Sequence, residues 1–165
     1  MKTRKVTSRS RSTGSESTSP RPAPTPLDVA ARLLTRAPRT EAELEARLVA
    51  RGYQRATAAK TVARCRELGY VGDERFAHDR ARALRARGAG SLKIAADLAA
   101  RGLSETLVEA AVEASRDGEP EIVWARRVLE RERKVRGAQA WRLLSGRGFP
   151  EDVVADVAGD PGDDW

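Results

Sequence analysis

Residues that carry most enzyme chemistry are scarce in this chain: one cysteine, one histidine and seven aromatics (three Trp, two Tyr, two Phe) among 165 residues. A single cysteine, Cys65, excludes an intramolecular disulfide and fits a reducing cytosol. With one His and one Cys far apart in sequence, a zinc site lacks its nitrogen and sulfur ligands. No phosphate loop, no His-Glu-x-x-His and no Gly-x-Ser-x-Gly occurs. His78 reads as a surface residue of a helix rather than a general base, and Cys65, between Arg64 and Arg66, as a structural thiol. The expectation is a protein without catalytic residues, metal or cofactor. No apolar run approaches the roughly 18 residues of a membrane span, and the basic N-terminus has no apolar h-region. A cytoplasmic protein with no membrane contact is expected. No stretch alternates apolar and polar residues long enough for a sheet.

What is abundant is arginine, 26 against five lysines, together with alanine and other helix formers. The class is all-α. The net charge of +7 is unevenly spread. Residues 1–26 carry six bases against one acid, residues 27–150 carry 25 against 17, and residues 151–165 carry six acids and no base. A basic tail and body with an acidic end point to a polyanion, or to a protein with acidic patches, as partner.

One phrase is written three times: Leu48-x-x-Arg51-Gly52-Tyr53, Leu98-x-x-Arg101-Gly102-Leu103 and Leu144-x-x-Arg147-Gly148-Phe149, with arginines 50 and 46 residues apart. Each reads as a helix end closed by a left-handed glycine, the following apolar residue folding back onto the leucine. The arginines are expected to serve these caps. Downstream, Thr57, Ala58, Thr61, Val62 are matched by Leu107, Val108, Ala111, Val112 and by Val153, Val154, Val157, Ala158, one face of a further helix each time. A repeat of this period implies three tandem three-helix repeats, an elongated curved array with a long concave surface suited to an extended partner. The expected divisions are a disordered basic Ser/Pro/Arg-rich tail at 1–26, repeats at 27–72, 73–117 and 118–160, and a frayed acidic end at 161–165. Thr40 with Glu43 spells a capping box, Asp73 and Ser104 read as N-caps, and Pro120 suits a first helical position.

Two basic clusters stand out. The second, Arg126, Arg127, Arg131, Arg133, Lys134 and Arg136, is interleaved with Glu130 and Glu132 and reads as a solvated face. The first gives the candidate partner-binding residues, Arg75, Arg82, Arg85, Arg87 and Lys93, for a protein partner, a phosphate backbone or both. Arg80, nearer the apolar stripe, is expected to snorkel.

The segment Gly69-Tyr70-Val71-Gly72-Asp73-Glu74-Arg75-Phe76-Ala77, followed by Arg87-Gly88-Ala89-Gly90, Ile94, Leu98 and Arg101-Gly102-Leu103, resembles the RecX family of recombination regulators over about residues 27–160. Arg80 stands where that family usually has an aromatic or apolar residue, and Ala89 where an aromatic separates the two glycines. The resemblance implies a non-enzymatic protein that binds the RecA filament on DNA and restrains its ATPase, strand-exchange and co-protease activities, modulating DNA repair and the SOS response. A monomer is expected, with single- or double-stranded DNA as a further partner of the basic residues. The alternative reading is a helix-turn-helix-like DNA-binding protein acting without RecA. It would need a recognition helix reaching base edges.

Overall fold

A computed structural model describes residues 23–132 and 135–159. The expected disorder of the tail up to residue 22 and the frayed acidic end lie outside these residues, as do Arg133 and Lys134 of the second basic cluster. The described residues form nine α-helices and no strand: α1 Pro26–Arg36, α2 Glu41–Val49, α3 Arg55–Glu67, α4 Asp73–Ala86, α5 Ser91–Ala99, α6 Glu105–Arg116, α7 Glu121–Arg131, α8 Gly137–Gly146 and α9 Glu151–Ala158. They pack in threes, and all the extensive helix–helix contacts fall within a triplet. Each triplet has its own core. Leu33, Leu44, Leu48, Ala58, Val62 and Cys65 fill the first. Ala77, Ala81, Ile94, Leu98, Val108 and Ala111 fill the second. Trp124, Val128, Leu144, Phe149 and Val154 fill the third. Alanines occupy many of the buried positions, so the cores are built from small and aliphatic side chains with few aromatics.

All three copies of the repeated phrase end in a left-handed glycine, and the first and third add the fold-back hydrogen bond that the spelling implies. Gly52, Gly102 and Gly148 take φ of +90°, +80° and +77°. Tyr53 N donates to Leu48 O at 3.3 Å and Phe149 N to Leu144 O at 3.2 Å, folding the apolar residue over the leucine. The arginines behave differently from expectation. Only Arg51 reaches a carbonyl of its own helix, Arg47 O at 3.1 Å. Arg101 and Arg147 turn to carboxylates instead, Glu43 in the preceding triplet and Glu132 at the end of α7. A fixed carboxylate offers a guanidinium a stronger, charge-assisted bond than a carbonyl does.

Successive triplets are joined through these turns. The Arg101–Gly102 turn at the end of α5 sits on the start of α2: Thr40 Oγ1 donates to Arg101 O at 2.8 Å while accepting from Glu43 N at 3.1 Å. The Arg147–Gly148 turn at the end of α8 sits in the same way on the start of α5. There Gly90 N donates to Arg147 O at 2.8 Å and Leu92 N to Gly148 O at 3.0 Å. The second helices of the triplets are therefore strung end to end. Each turn accepts hydrogen bonds at the start of the preceding triplet's second helix, from the Thr40 hydroxyl at α2 and from backbone N–H groups at α5. Among the described residues no hydrogen bond or ion pair joins the first triplet to the third.

Four local expectations change. The first helix starts at Pro26 under a Thr25–Asp28 capping box, so Thr25 and Pro26 belong to the folded body rather than to the tail. Asp73 does not cap its own helix; Gly72 occupies that position, and the Asp73 carboxylate accepts from Glu41 N of α2 at 2.8 Å. Ser104 stands at the N-cap of α6, but its hydroxyl meets Thr106 Oγ1 at 3.3 Å rather than the backbone. Pro120 precedes the first helical residue instead of occupying it.

Candidate functional site

The five candidate residues lie on α4, on the turn after it and on the first turn of α5, yet the fold does not gather them into one point. Arg75 and Arg82 share the solvent side of α4, both exposed, whereas Arg87 lies about 120° around the axis and about 18 Å along it from Arg75. Arg82 is loosely paired with exposed Asp79 at 3.5 Å, an ion pair of small energetic consequence. Lys93 is exposed, its Nζ 3.4 Å from Gly146 O.

Arg85 is different. It is 6% exposed and faces the third triplet, where Nη1 donates to Glu121 Oε2 at 3.0 Å. Its guanidinium also stacks 5.2 Å from the centroid of the Trp124 ring. Arg127 and Arg131 approach the same indole, at 5.9 and 5.1 Å. The indole Nε1 donates to Ala89 O at 3.2 Å, so the residue that replaces an aromatic between two glycines is covered by one from the next triplet. Arg85 is therefore an internal joint and leaves the binding set. On a bare helical wheel it is one arginine among several; its burial depends on a triplet 36 residues away.

Arg80 does not snorkel into solvent. Its Nη2 and Nε donate to the two oxygens of Asp97 at 2.7 and 2.9 Å. Arg101 Nε joins the same carboxylate at 3.0 Å, and Arg101 Nη1 reaches Glu43 at 2.7 Å. The hydrogen bond from Arg80, reinforced by Arg101, holds the Asp97 carboxyl down at about 2 against an opposing push from burial. The network locks α4, α5 and α2 together at the junction of the first two triplets.

Beside that network opens a cleft of 630 Å³. Its wall is apolar at Leu34, Tyr70, Val71 and Phe76 and cationic at Arg39, Arg75, Arg80 and Arg101, with Glu43 and Asp79 between. Tyr70 is 53% exposed. Arg39 is half-buried, and its Nε is shut off from solvent with no hydrogen-bond partner among the described residues. Nothing in the sequence marks this cleft, because Arg39 and Tyr70 lie in connecting segments where no periodicity defines a face. His78 sits apart from it, near Arg82, Ser115 and Asp117. Among the described residues no group of three or more His, Cys, Asp or Glu could hold a metal ion, and no helix is long and apolar enough to cross a membrane.

The chain is similar to known proteins in sequence and in fold. Residues 27–65 match a family model described as the first three-helix domain of RecX, and residues 73–112 match the second. The chain is 38% identical to a regulatory protein RecX of Thermus thermophilus over 131 residues, covering 79% of this chain and 88% of that protein. It is 34% identical to a regulatory protein RecX of Mycobacterium sp. strain JLS, covering 76% of this chain and 75% of the relative. Among solved structures, RecX from Lactobacillus salivarius superimposes with a TM-score of 0.69 at 16% identity, over 80% of this chain and 91% of that one, a likeness of fold.

Proposed function

The chain belongs to the RecX family, and from that premise we propose that it binds the RecA–DNA filament and inhibits RecA's recombinase, ATPase and co-protease activities. It thereby modulates DNA repair and the SOS response in the cytoplasm, as a monomeric regulator and not an enzyme. The observation that carries this reading is the end-to-end joining of three-helix units by their own turns. An array with its joints internal presents successive units to a partner that is itself extended, and a small molecule would have no use for that length. The exposed cations Arg75, Arg82, Arg87 and Lys93 all lie on the array's second triplet and are assigned to contacts with the protein filament or its DNA phosphates.

The test is RecA's DNA-dependent ATPase with the purified chain added. The rate should fall at sub-stoichiometric to near-equimolar ratios, and reversal of Arg82, Arg87 and Lys93 to glutamate should weaken the inhibition with helicity intact. An unchanged ATPase across that range would overturn the reading.

One observation favours direct DNA binding as a second reading. The third helix of the first triplet, α3, exposes Arg55, Lys60, Arg64 and Arg66. Its counterparts do not: α6 exposes Glu105, Glu109 and Glu113, and α9 exposes Glu151, Asp152 and Asp156, which repel phosphates. A salt titration with naked duplex separates the two, since tight sequence-dependent binding without RecA belongs to this second reading alone.

A further inference from the structure

We propose that the cleft between the first and second triplets seats an acidic peptide segment bearing one bulky apolar side chain, supplied by a protein partner. This goes beyond the filament-level reading by giving one cleft an occupant of stated chemistry.

Three features of the cleft specify that chemistry. The first is an uncommitted cation: Arg39 lines the cleft, and no ion pair of its guanidinium is found among the described residues, which leaves its charge open to a carboxylate brought by a ligand. The second is a guanidinium at the same rim with little to do. Arg75 has only a 3.5 Å approach to Gly69 O, while Arg80 and Arg101 are spent on Asp97 and Glu43. Arg39 and Arg75 are thus the cations available to an incoming carboxylate, for which the guanidinium fork is the best match. The third is the apolar wall. Tyr70 is a large exposed aromatic in a linker, beside Leu34 and partly buried Phe76. Exposed aromatics next to arginine are the usual anchors of protein interfaces.

The same features disfavour a nucleic acid. A single strand needs a cationic track and successive stacking faces. Here Arg80 and Arg101 are already paired with Asp97 and Glu43, and Arg101 covers the Phe76 ring at 5.7 Å, so neither a continuous track nor a second open stacking face remains. One carboxylate-bearing segment with one apolar anchor fits two free cations and one open aromatic; a polyphosphate does not.

The experiment is fluorescence anisotropy on the full chain with a fluorescein-labelled synthetic peptide of aspartates and glutamates around one tryptophan. The same peptide with alanine for tryptophan and a labelled oligothymidylate serve as comparison probes. Saturable binding of the tryptophan peptide is expected, weakened about tenfold or more by Arg39→Glu and by Tyr70→Ala. Arg142→Glu, an exposed charge on α8, should change it no more than about twofold. Circular dichroism reports folding, and Arg39→Gln replaces any charge-reversed variant that unfolds. Equal binding of the two peptides, or binding indifferent to both Arg39 and Tyr70, would overturn the proposal. So would oligothymidylate that binds through those residues and resists displacement by the peptide. No RecA is present in this experiment, so its failure leaves the ATPase reading standing, and failure of the ATPase test leaves this one.

Discussion

Arg85 and Glu121 form a buried ion pair, 3.0 Å apart, across the junction of the second and third triplets, with both side chains 7% exposed. Glu121 holds more than the arginine. Its other oxygen accepts from Ser91 N at 2.7 Å, capping α5, whose N-cap is Gly90 and offers no side chain. A carboxylate at that position also faces the positive end of the helix dipole.

Replacing Glu121 by alanine should therefore be severe. Arg85 would be left charged and buried, and one N–H of α5 uncapped. Breaking a buried pair by removing one partner costs about 3–5 kcal/mol. Urea unfolding should read a loss in that range, whereas the double variant Arg85→Met with Glu121→Leu should recover most of it. A loss below about 1 kcal/mol for the single variant would contradict the buried geometry.

The glycines of the turns should separate into two groups. Gly52 has φ of +90° and nothing near the position of a Cβ, so Gly52→Ala carries only the backbone strain, about 1 kcal/mol. At Gly90 a Cβ would fall 2.6 Å from Phe149 N, and at Gly148 it would fall 2.5 Å from Lys93 N. Backbone cannot yield there as a flexible side chain would. Alanine at either site should cost clearly more than at Gly52. Hydrogen exchange should show the Leu92 amide losing protection first, since its acceptor is Gly148 O.

Asp97 should give the fold an acid-sensitive joint. Its carboxyl titrates at about 2 when folded, held down by the Arg80 and Arg101 hydrogen bonds, against about 3.9 in an unfolded chain. The folded pKa is the lower one, so the stabilisation is complete above pH 4 or so and is lost as pH falls towards 2. At neutral pH Asp97→Asn should cost about 2 kcal/mol. The difference between wild type and variant should vanish near pH 2, measured by urea unfolding at both pH values. A difference that persists undiminished in acid would mean the carboxylate is not the source.

Cys65 is fully buried in the first core, and burial pushes its thiol up from its ordinary value. Alkylation by iodoacetamide should be slow in the native chain and should accelerate in urea in step with unfolding of α3. Fast native alkylation would show that this core opens independently.

Local structure was readable because its causes are local. A left-handed glycine after Leu-x-x-Arg ends a helix wherever it stands, and Thr40 with Glu43 caps one through a contact three residues long. The faces at Ala58, Val108 and Val154 follow from helical period alone. Candidate sites were less readable. Arg82 and Arg87 are exposed as their charges suggested, but Arg85, with the same spelling, is interior. Helical spacing tells which side a residue is on, and not whether another triplet will cover that side.

Asp73 shows the division most simply. Its sequence context makes it a cap, and it is one, but for α2 rather than α4. The all-α class, the helices and their stops were legible in the sequence, since these depend on backbone conformation and on contacts within a few residues. The tertiary structure alone decided which donors and charges are satisfied across junctions. It seated Arg147 O on Gly90 N, Glu121 on Ser91 N and Asp97 between two arginines, and left Arg39 and Tyr70 on an open cleft. Such pairings join groups tens of residues apart, and their energy exists only where packing has already excluded water.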